Sequence, residues 1–401
     1  MKYSTSVIVL ATILFANIVT AQKVNDASSD EGYIFKEDFR LPATSVKNQY
    51  RSGTCWSFSG LSFLESEMLR KGKDATDLSE MFVVNHCYKD KARLDVRMQG
   101  NINFGGGGAF HDDTYVLKKY GLVPEEIYSG LNYGTKKHVH GELDEVLKDF
   151  VEGVIKNKNK SITPVWGNAF DAIVDTYLGK LPETFTYKGK KYTPKSFAKD
   201  YCDLNPDDYV EISSFTHHPF YEKFILEVPD NWLSGQVYNL PLNEFEQVLD
   251  YSLKNGYTVA WAADVSHKGF MYNKGVAVIP ETDIENLSGL EKAKWEKLSD
   301  RERQAQIYKE NGPVQEKKIT QELRQEKFDS QETTDDHGMH IIGIAHDQNG
   351  TKYYIVKNSW GTNSKYNGYF YASKAFVLLQ TTDIMVNKNG IPKEIRKKLG
   401  L

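Results

Sequence analysis

Three short stretches carry side chains suited to covalent chemistry: Gln49 to Phe58 (QYRSGTCWSF), Asp335 to Ala345 (DDHGMHIIGIA) and Tyr354 to Gly361 (YIVKNSWG). In the first, Cys55 stands just ahead of an apolar pattern with helical spacing, which puts its sulfur on a helix's first turn. Unpaired backbone N–H groups and the helix dipole there favour the thiolate, the nucleophilic form of the side chain. Gln49, six residues upstream, can turn its side-chain amide back toward the same space. Together with the Cys55 N–H it would form an oxyanion hole. A lone cysteine is more often a small buried core residue, so Cys55 decides nothing by itself.

The second stretch supplies a base. His337 is followed by Gly338 and by an apolar strand from Met339, which suits a histidine at the mouth of a cleft. His340 lies inside that strand and, by alternation, on the opposite face, so His337 is the favoured base. In the third stretch Asn358 ends an apolar strand, where its side chain can accept the histidine's ring N–H and fix the tautomer. Trp360 would shield that bond from water. Singly, these are a surface histidine and an ordinary Asn-Ser-Trp-Gly turn. In the order Cys, His, Asn they supply a nucleophile, a base and the residue that orients the base.

The elements that must hold these residues are legible in part. Phe58, Leu61, Leu64 and Met68 recur at helical spacing and mark one buried face. Ser52-Gly53-Thr54 before them offers N-cap chemistry. Met339 to Ala345 and Tyr353 to Lys357 read as strands joined through Asn349-Gly350, a strong hairpin signal. Between them, Glu142 to Val154 and Leu242 to Leu253 read as amphipathic helices and Tyr257 to Ala263 as a buried strand. Residues 282–333 are strongly charged and helix-prone.

Composition narrows the class. The chain has 401 residues, 40% hydrophobic and 26% charged, enough for one large domain or two that share a cleft. A net charge of −4 with no long Lys/Arg block argues against nucleic-acid binding. Lys2 followed by the apolar run Val7 to Val19 and then Ala21 reads as an export signal cleaved after Ala21. The run is short for a bilayer span. A soluble mature protein, periplasmic or secreted and free of the membrane, is therefore expected. Three cysteines, Cys55, Cys87 and Cys202, leave at least one thiol free and exclude a disulfide-stapled fold.

The residues around Cys55, His337 and Asn358 resemble the three motifs of the papain family of cysteine peptidases. Within it the chain is similar to the bleomycin hydrolase and aminopeptidase C branch. The interval of 282 residues from Cys55 to His337, the stretch Leu181 to Thr186 with Tyr192-Thr193-Pro194, and Trp261 to Val265 carry that likeness. The resemblance implies an α+β, papain-like, two-lobed fold with large helical insertions. A signal (1–21) and a flexible lead-in (22–42) would precede a helical lobe with the nucleophile (43–135). An insertion with part of the second lobe (136–333) and a β-rich, barrel-like lobe with the histidine and asparagine (334–401) would follow.

The resemblance also implies peptide substrates, no metal or organic cofactor, and a homo-oligomer, a hexamer in that branch. Gly107 and Gly108, within Gly105 to Gly108, correspond to paired glycines whose backbone binds the substrate as an added strand, with Trp360 a further substrate contact. A flexible surface loop is the bland reading of those glycines. A phosphate loop is poorer, since no Gly-Lys-Ser/Thr follows.

Three departures qualify the likeness. Ser52 stands where papain has a disulfide cysteine, and branch members usually lack an export signal. The branch also ends in a tail whose carboxylate docks the substrate's amino group, and Leu401 is expected to fall short of it. An aminopeptidase is therefore expected, with two alternatives: an endopeptidase or oligopeptidase with an open cleft, or an inactive papain-like binding scaffold. A transglutaminase fits less well, because its orienting residue is usually Asp. N-terminal sequencing of the exported protein should begin at Gln22; a soluble mature protein beginning at Met1 would contradict the signal.

Overall fold

The structure, a computed structural model, describes residues 32–159 and 161–401. The expected signal and residues 22–31 of the expected lead-in lie outside the described residues.

Five helices form one layer: α1 (Cys55–Arg70), α2 (Glu80–Arg97), α3 (Phe110–Lys119), α4 (Gly141–Ile155) and α5 (Trp166–Leu178). They share one apolar core, in which Phe58, Leu61, Leu64 and Met68 of α1 meet Phe82, Leu147 and Phe170. The helical spacing read in the sequence is thus the spacing of the buried face. α1 is in fact buried on every side from Trp56 to Met68, serines and glutamates included. A helix buried all round lies between layers, and α1 packs against the sheet on its far side. Ser79 caps α2 by accepting the Phe82 N–H at 3.0 Å.

The strands in chain order begin with β1 (Phe35–Arg40), β2 (Phe185–Tyr187), β3 (Lys190–Tyr192), β4 (Tyr209–Ser213), β5 (Lys223–Ile225) and β6 (Gln236–Asn239). After them come β7 (Val259–Ala263), β8 (Phe270–Met271), β9 (Val276–Ala277), β10 (His337–Asp347), β11 (Lys352–Lys357), β12 (Tyr369–Ser373) and β13 (Thr381–Asn387). Eleven of them form one sheet in the order β5-β6-β4-β13-β7-β10-β11-β12-β9-β8, with β1 added onto β10; β2 and β3 pair apart. Among the described residues the two ends of this path do not join, so the barrel-like lobe is an open sheet. The fold is α+β, as expected.

β10 is the hub. Its first half, His337 to Ile341, pairs with β7, while its second half, Gly343 to Asp347, pairs with β1. Its other edge pairs with β11 across the Asn349-Gly350 turn. The reading of residues 22–42 as a flexible lead-in needs correction, because Phe35–Arg40 is a paired strand. The alternation FKEDFR carries enough charge to pass for solvent-exposed chain, yet Phe35 stacks on Tyr371 with ring centroids 3.9 Å apart. Residues 136–333 also divide between the layers, giving α4 and α5 to the helices and β4 to β9 to the sheet. The last helix, Lys393–Leu399, sets Ile395 and Leu399 into the sheet-side core. Among the described residues no helix is long and apolar enough to cross a membrane.

If β1 is a clamp rather than a loose lead-in, Phe35→Ala should cost about 2 kcal/mol in urea unfolding, below the ~3–5 of a fully buried phenylalanine. A loss under a few tenths would contradict that role.

Candidate active site

α1 begins at Cys55, with Thr54 at the N-cap position. The expected cap chemistry is not used: Thr54 makes no side-chain cap bond, and its hydroxyl lies 2.7 Å from the Ser52 hydroxyl instead. The first-turn donors at Cys55 and Trp56 are thus left without a side-chain cap. Cys55 is partly exposed, whereas Cys87 and Cys202 are buried, and all three thiols are free.

The start of β10 lies directly on this turn. A Cβ added at Gly338 would sit 2.7 Å from Ser59 Oγ and 3.2 Å from the Trp56 nitrogen, so only glycine allows this approach. Ser59 Oγ in turn donates to the Cys55 carbonyl at 2.7 Å. Burial pushes the Cys55 thiol up to about 12; the backbone N–H groups of Gly338 and Trp56 pull it down, and Asp335 and Asp230 push it up further.

His337 opens β10 and is buried. Its Nε2 lies 2.8 Å from Asn358 Oδ1, which also accepts the Ser359 N–H at 2.8 Å. Because a backbone N–H can only donate, that Asn358 atom is an acceptor, and His337 Nε2 carries the proton. The neutral ring therefore keeps Nδ1 as its free, accepting nitrogen. Trp360 covers the ring at 4.7 Å between centroids, as the shielding role requires. Burial lowers the imidazole to about 4, against the Asn358 bond, which raises it. Cys55 and His337 line one cavity. Among the described residues no hydrogen bond joins the sulfur to the ring.

The rival histidine is accounted for. His340 is fully buried, faces Ser62 Oγ through Nδ1 at 2.9 Å, and is held well below its usual range by burial and by Lys357. Gln49 is buried and tethered: its Oε1 accepts from Ser359 Oγ at 2.6 Å and its Nε2 donates to the Ser52 carbonyl at 2.9 Å. One amide hydrogen remains, but Gln49 does not itself line the cavity. The Gly105 to Gly108 segment is no loose loop. Trp56 Nε1 donates to the Gly106 carbonyl at 2.9 Å, and the Lys91 ammonium holds the Gly105 and Gly107 carbonyls. Gly108 lines the cavity with Cys55, whereas Gly107 lies behind Asp230.

Five carboxylates that the sequence did not single out as site residues line the same cavity: Glu211, Asp230, Asp335, Asp336 and Asp383. Asp335 and Asp336 lay in plain view just before His337. A charged residue inside an apolar strand, as in TTDIMV around Asp383, was a usable signal. Nothing local marks Asp230. A wider groove lined by Leu242, Glu246, Lys317 and Lys374 lies elsewhere and holds no cysteine or histidine.

Comparison with known proteins gives a consistent picture. The sequence profile of the peptidase C1-like family matches residues 79–306 and 304–400. Aminopeptidase G of Lactobacillus delbrueckii subsp. lactis is 24% identical over 410 residues, covering 90% of this chain and 84% of that protein. Aminopeptidase C of Listeria innocua serovar 6a is 22% identical over 391 residues, covering 87% and 81%. Among solved structures, PepW from Lactobacillus rhamnosis HN001 superposes with a TM-score of 0.67 at 19% identity, covering 91% of this chain and 84% of that one.

The contact at Gly338 is directly testable. Gly338→Ala should lose about 1–3 kcal/mol through overpacking and slow alkylation of Cys55 by iodoacetamide. Unchanged stability together with unchanged alkylation would show that the approach is not tight.

Proposed function

The chain belongs to the peptidase C1-like family, and from that premise we propose that it is a cysteine aminopeptidase acting through Cys55, His337 and Asn358. The observation that carries this reading is the His337–Asn358 bond, which leaves Nδ1 free on a ring lining the same cavity as Cys55.

In this reading the Cys55 sulfur attacks the scissile carbonyl carbon while its proton passes to His337 Nδ1. The oxyanion is held by the Cys55 N–H and the remaining amide hydrogen of Gln49. The imidazolium then protonates the leaving amine, which frees the C-terminal part of the substrate. Water, deprotonated by the neutral imidazole, hydrolyses the thioester and returns the thiol. Gly108 supports an extended substrate backbone, with Gly107 behind Asp230, and Trp360 keeps water off the His337–Asn358 bond. The names of the relatives support removal of N-terminal residues. Export through residues 1–21 and assembly into a homo-oligomer extend the same proposal.

Cys55→Ala should abolish hydrolysis with the circular dichroism unchanged; retained turnover would sink the mechanism. His337→Ala should cost far more than His340→Ala, and Gln49→Ala about a hundredfold or more in kcat. With His337 lowered to about 4, the ring is neutral, and so able to accept a proton, above that pH. The thiol, raised to about 12, keeps its proton through the same range. The pair thus holds one proton between its two groups. At saturating substrate, kcat should show an acid limb near pH 4 and a plateau through pH 8. An acid limb near 6.5 would mean an unperturbed histidine.

A further inference from the structure

The cavity beside Cys55 has an excess of negative charge. Glu211, Asp230, Asp335, Asp336 and Asp383 line it, with no Lys or Arg among the lining residues and His111 and His337 as its two histidines. His111 Nδ1 meets Glu211 Oε2 at 2.8 Å while its Nε2 is buried without a hydrogen-bond partner, and burial, which lowers it, is outweighed by that carboxylate, holding it at about 10. The remaining oxygens are not satisfied. Asp383 Oδ2 and Glu211 Oε1 are buried without a hydrogen-bond partner, on residues only 5% and 6% exposed. Asp383 Oδ1 has only the Thr382 hydroxyl at 3.4 Å, and Asp335 accepts no hydrogen bond among the described residues. Asp230 accepts from Asn103 Nδ2 at 2.8 Å and lies so close over Gly107 that a Cβ there would collide with its carboxylate.

Buried carboxylate oxygens without partners are costly unless a cation or donor meets them. The structure holds them in the same cavity that Cys55 and His337 line. Resting on the aminopeptidase reading, we propose that this cluster, with Asp230 and Asp335 as its entrance groups, receives a primary ammonium group, the α-ammonium of the substrate's N-terminal residue. A primary ammonium brings three donors, which suits several acceptors converging on one point.

Two further observations agree. Burial and the neighbouring acids Asp230, Asp336 and Glu211 push Asp335 up to about 7, and burial, Glu211 and Asp335 push Asp383 well above the carboxylate range. Charges that crowd each other in this way are relieved by a cation. Asp335 and Asp230 also push the Cys55 thiol up. A bound ammonium would cancel that push, so that the nucleophile is easiest to ionise when a free N-terminus is in place.

The test uses fluorogenic peptides identical except for acetylation of the N-terminus, with the wild-type enzyme, Asp230→Asn and Asp335→Asn. Thermal melting and alkylation of Cys55 by iodoacetamide report folding and an intact nucleophile. Asp335→Asn guards against misfolding of Asp230→Asn, because its carboxylate holds no partner that would be stranded. The expected result is a strong wild-type preference for the free amine, which falls about tenfold or more in either variant, through KM. A wild-type preference that both folded variants keep would overturn the proposal while leaving the aminopeptidase reading intact. A wild-type enzyme with no such preference would sink the aminopeptidase reading itself. A third arm uses acetylated peptides with lysine next to the scissile bond. If these are preferred, and the variants lose that preference, the pocket takes a side-chain ammonium and the α-ammonium assignment is wrong.

Discussion

The close approach between the first turn of α1 and the first residues of β10 is the constraint on which the rest depends. It brings a helix-borne cysteine and a strand-borne histidine from 282 residues away to one cavity. The approach sets Gly338 against the Trp56 backbone and the Ser59 hydroxyl, leaving no room for a side chain at position 338. β10 is pinned along both edges, by β7 and β1 on one and β11 on the other. That leaves its first residue little freedom to drift. The Asn358 and Gln49 segments are tied in as well, through the Gln49 N–H to the Ser359 carbonyl at 2.8 Å and the Ser359 hydroxyl to Gln49 Oε1.

Around this contact the molecule accepts considerable electrostatic cost. Behind the site, Lys357 donates to Ser62 and Thr44 and is lowered to about 8, by burial above all, with Glu65 opposing. Lys47 is pinned between Glu80 and the Leu78 carbonyl. Buried ion pairs of this kind seldom add stability over apolar packing. Here they fill the gap between helix and sheet with fixed polar groups behind His337 and Asn358. On the open side the charge is unbalanced toward the negative, which works against a thiolate. An enzyme that meets cationic substrates can carry that imbalance, because each substrate arrives with the missing charge.

The sequence made the candidate site legible and much of the surrounding architecture illegible, for identifiable reasons. Cys55 could be placed because helical spacing after it marks a helix start. His337 could be preferred over His340 because strand alternation separates them, and His340 is indeed buried against Ser62. The Asn349-Gly350 turn has one dominant local reading. Phe35–Arg40 escaped because β1 earns its place through Tyr353 and Tyr371, more than three hundred residues away. Thr54 looked like a cap because its residue type suits one, but its hydroxyl is taken by Ser52. The acidic lining escaped for a similar reason. Glu211 and Asp383 sit on β4 and β13, Asp230 sits between β5 and β6, and only the assembled sheet gathers them. Sequence reads local chemistry well, but not convergence between distant strands.

The central claim is that Cys55 carries the acyl group of the substrate as a thioester. It is tested most directly by acid-quenching the enzyme during turnover of a slowly deacylating peptide ester, then measuring intact mass and mapping the adduct. The account predicts one acyl group per chain, on the peptide that contains Cys55, and none on those containing Cys87 or Cys202. Turnover with no covalent adduct, or an adduct on either buried cysteine, would contradict it.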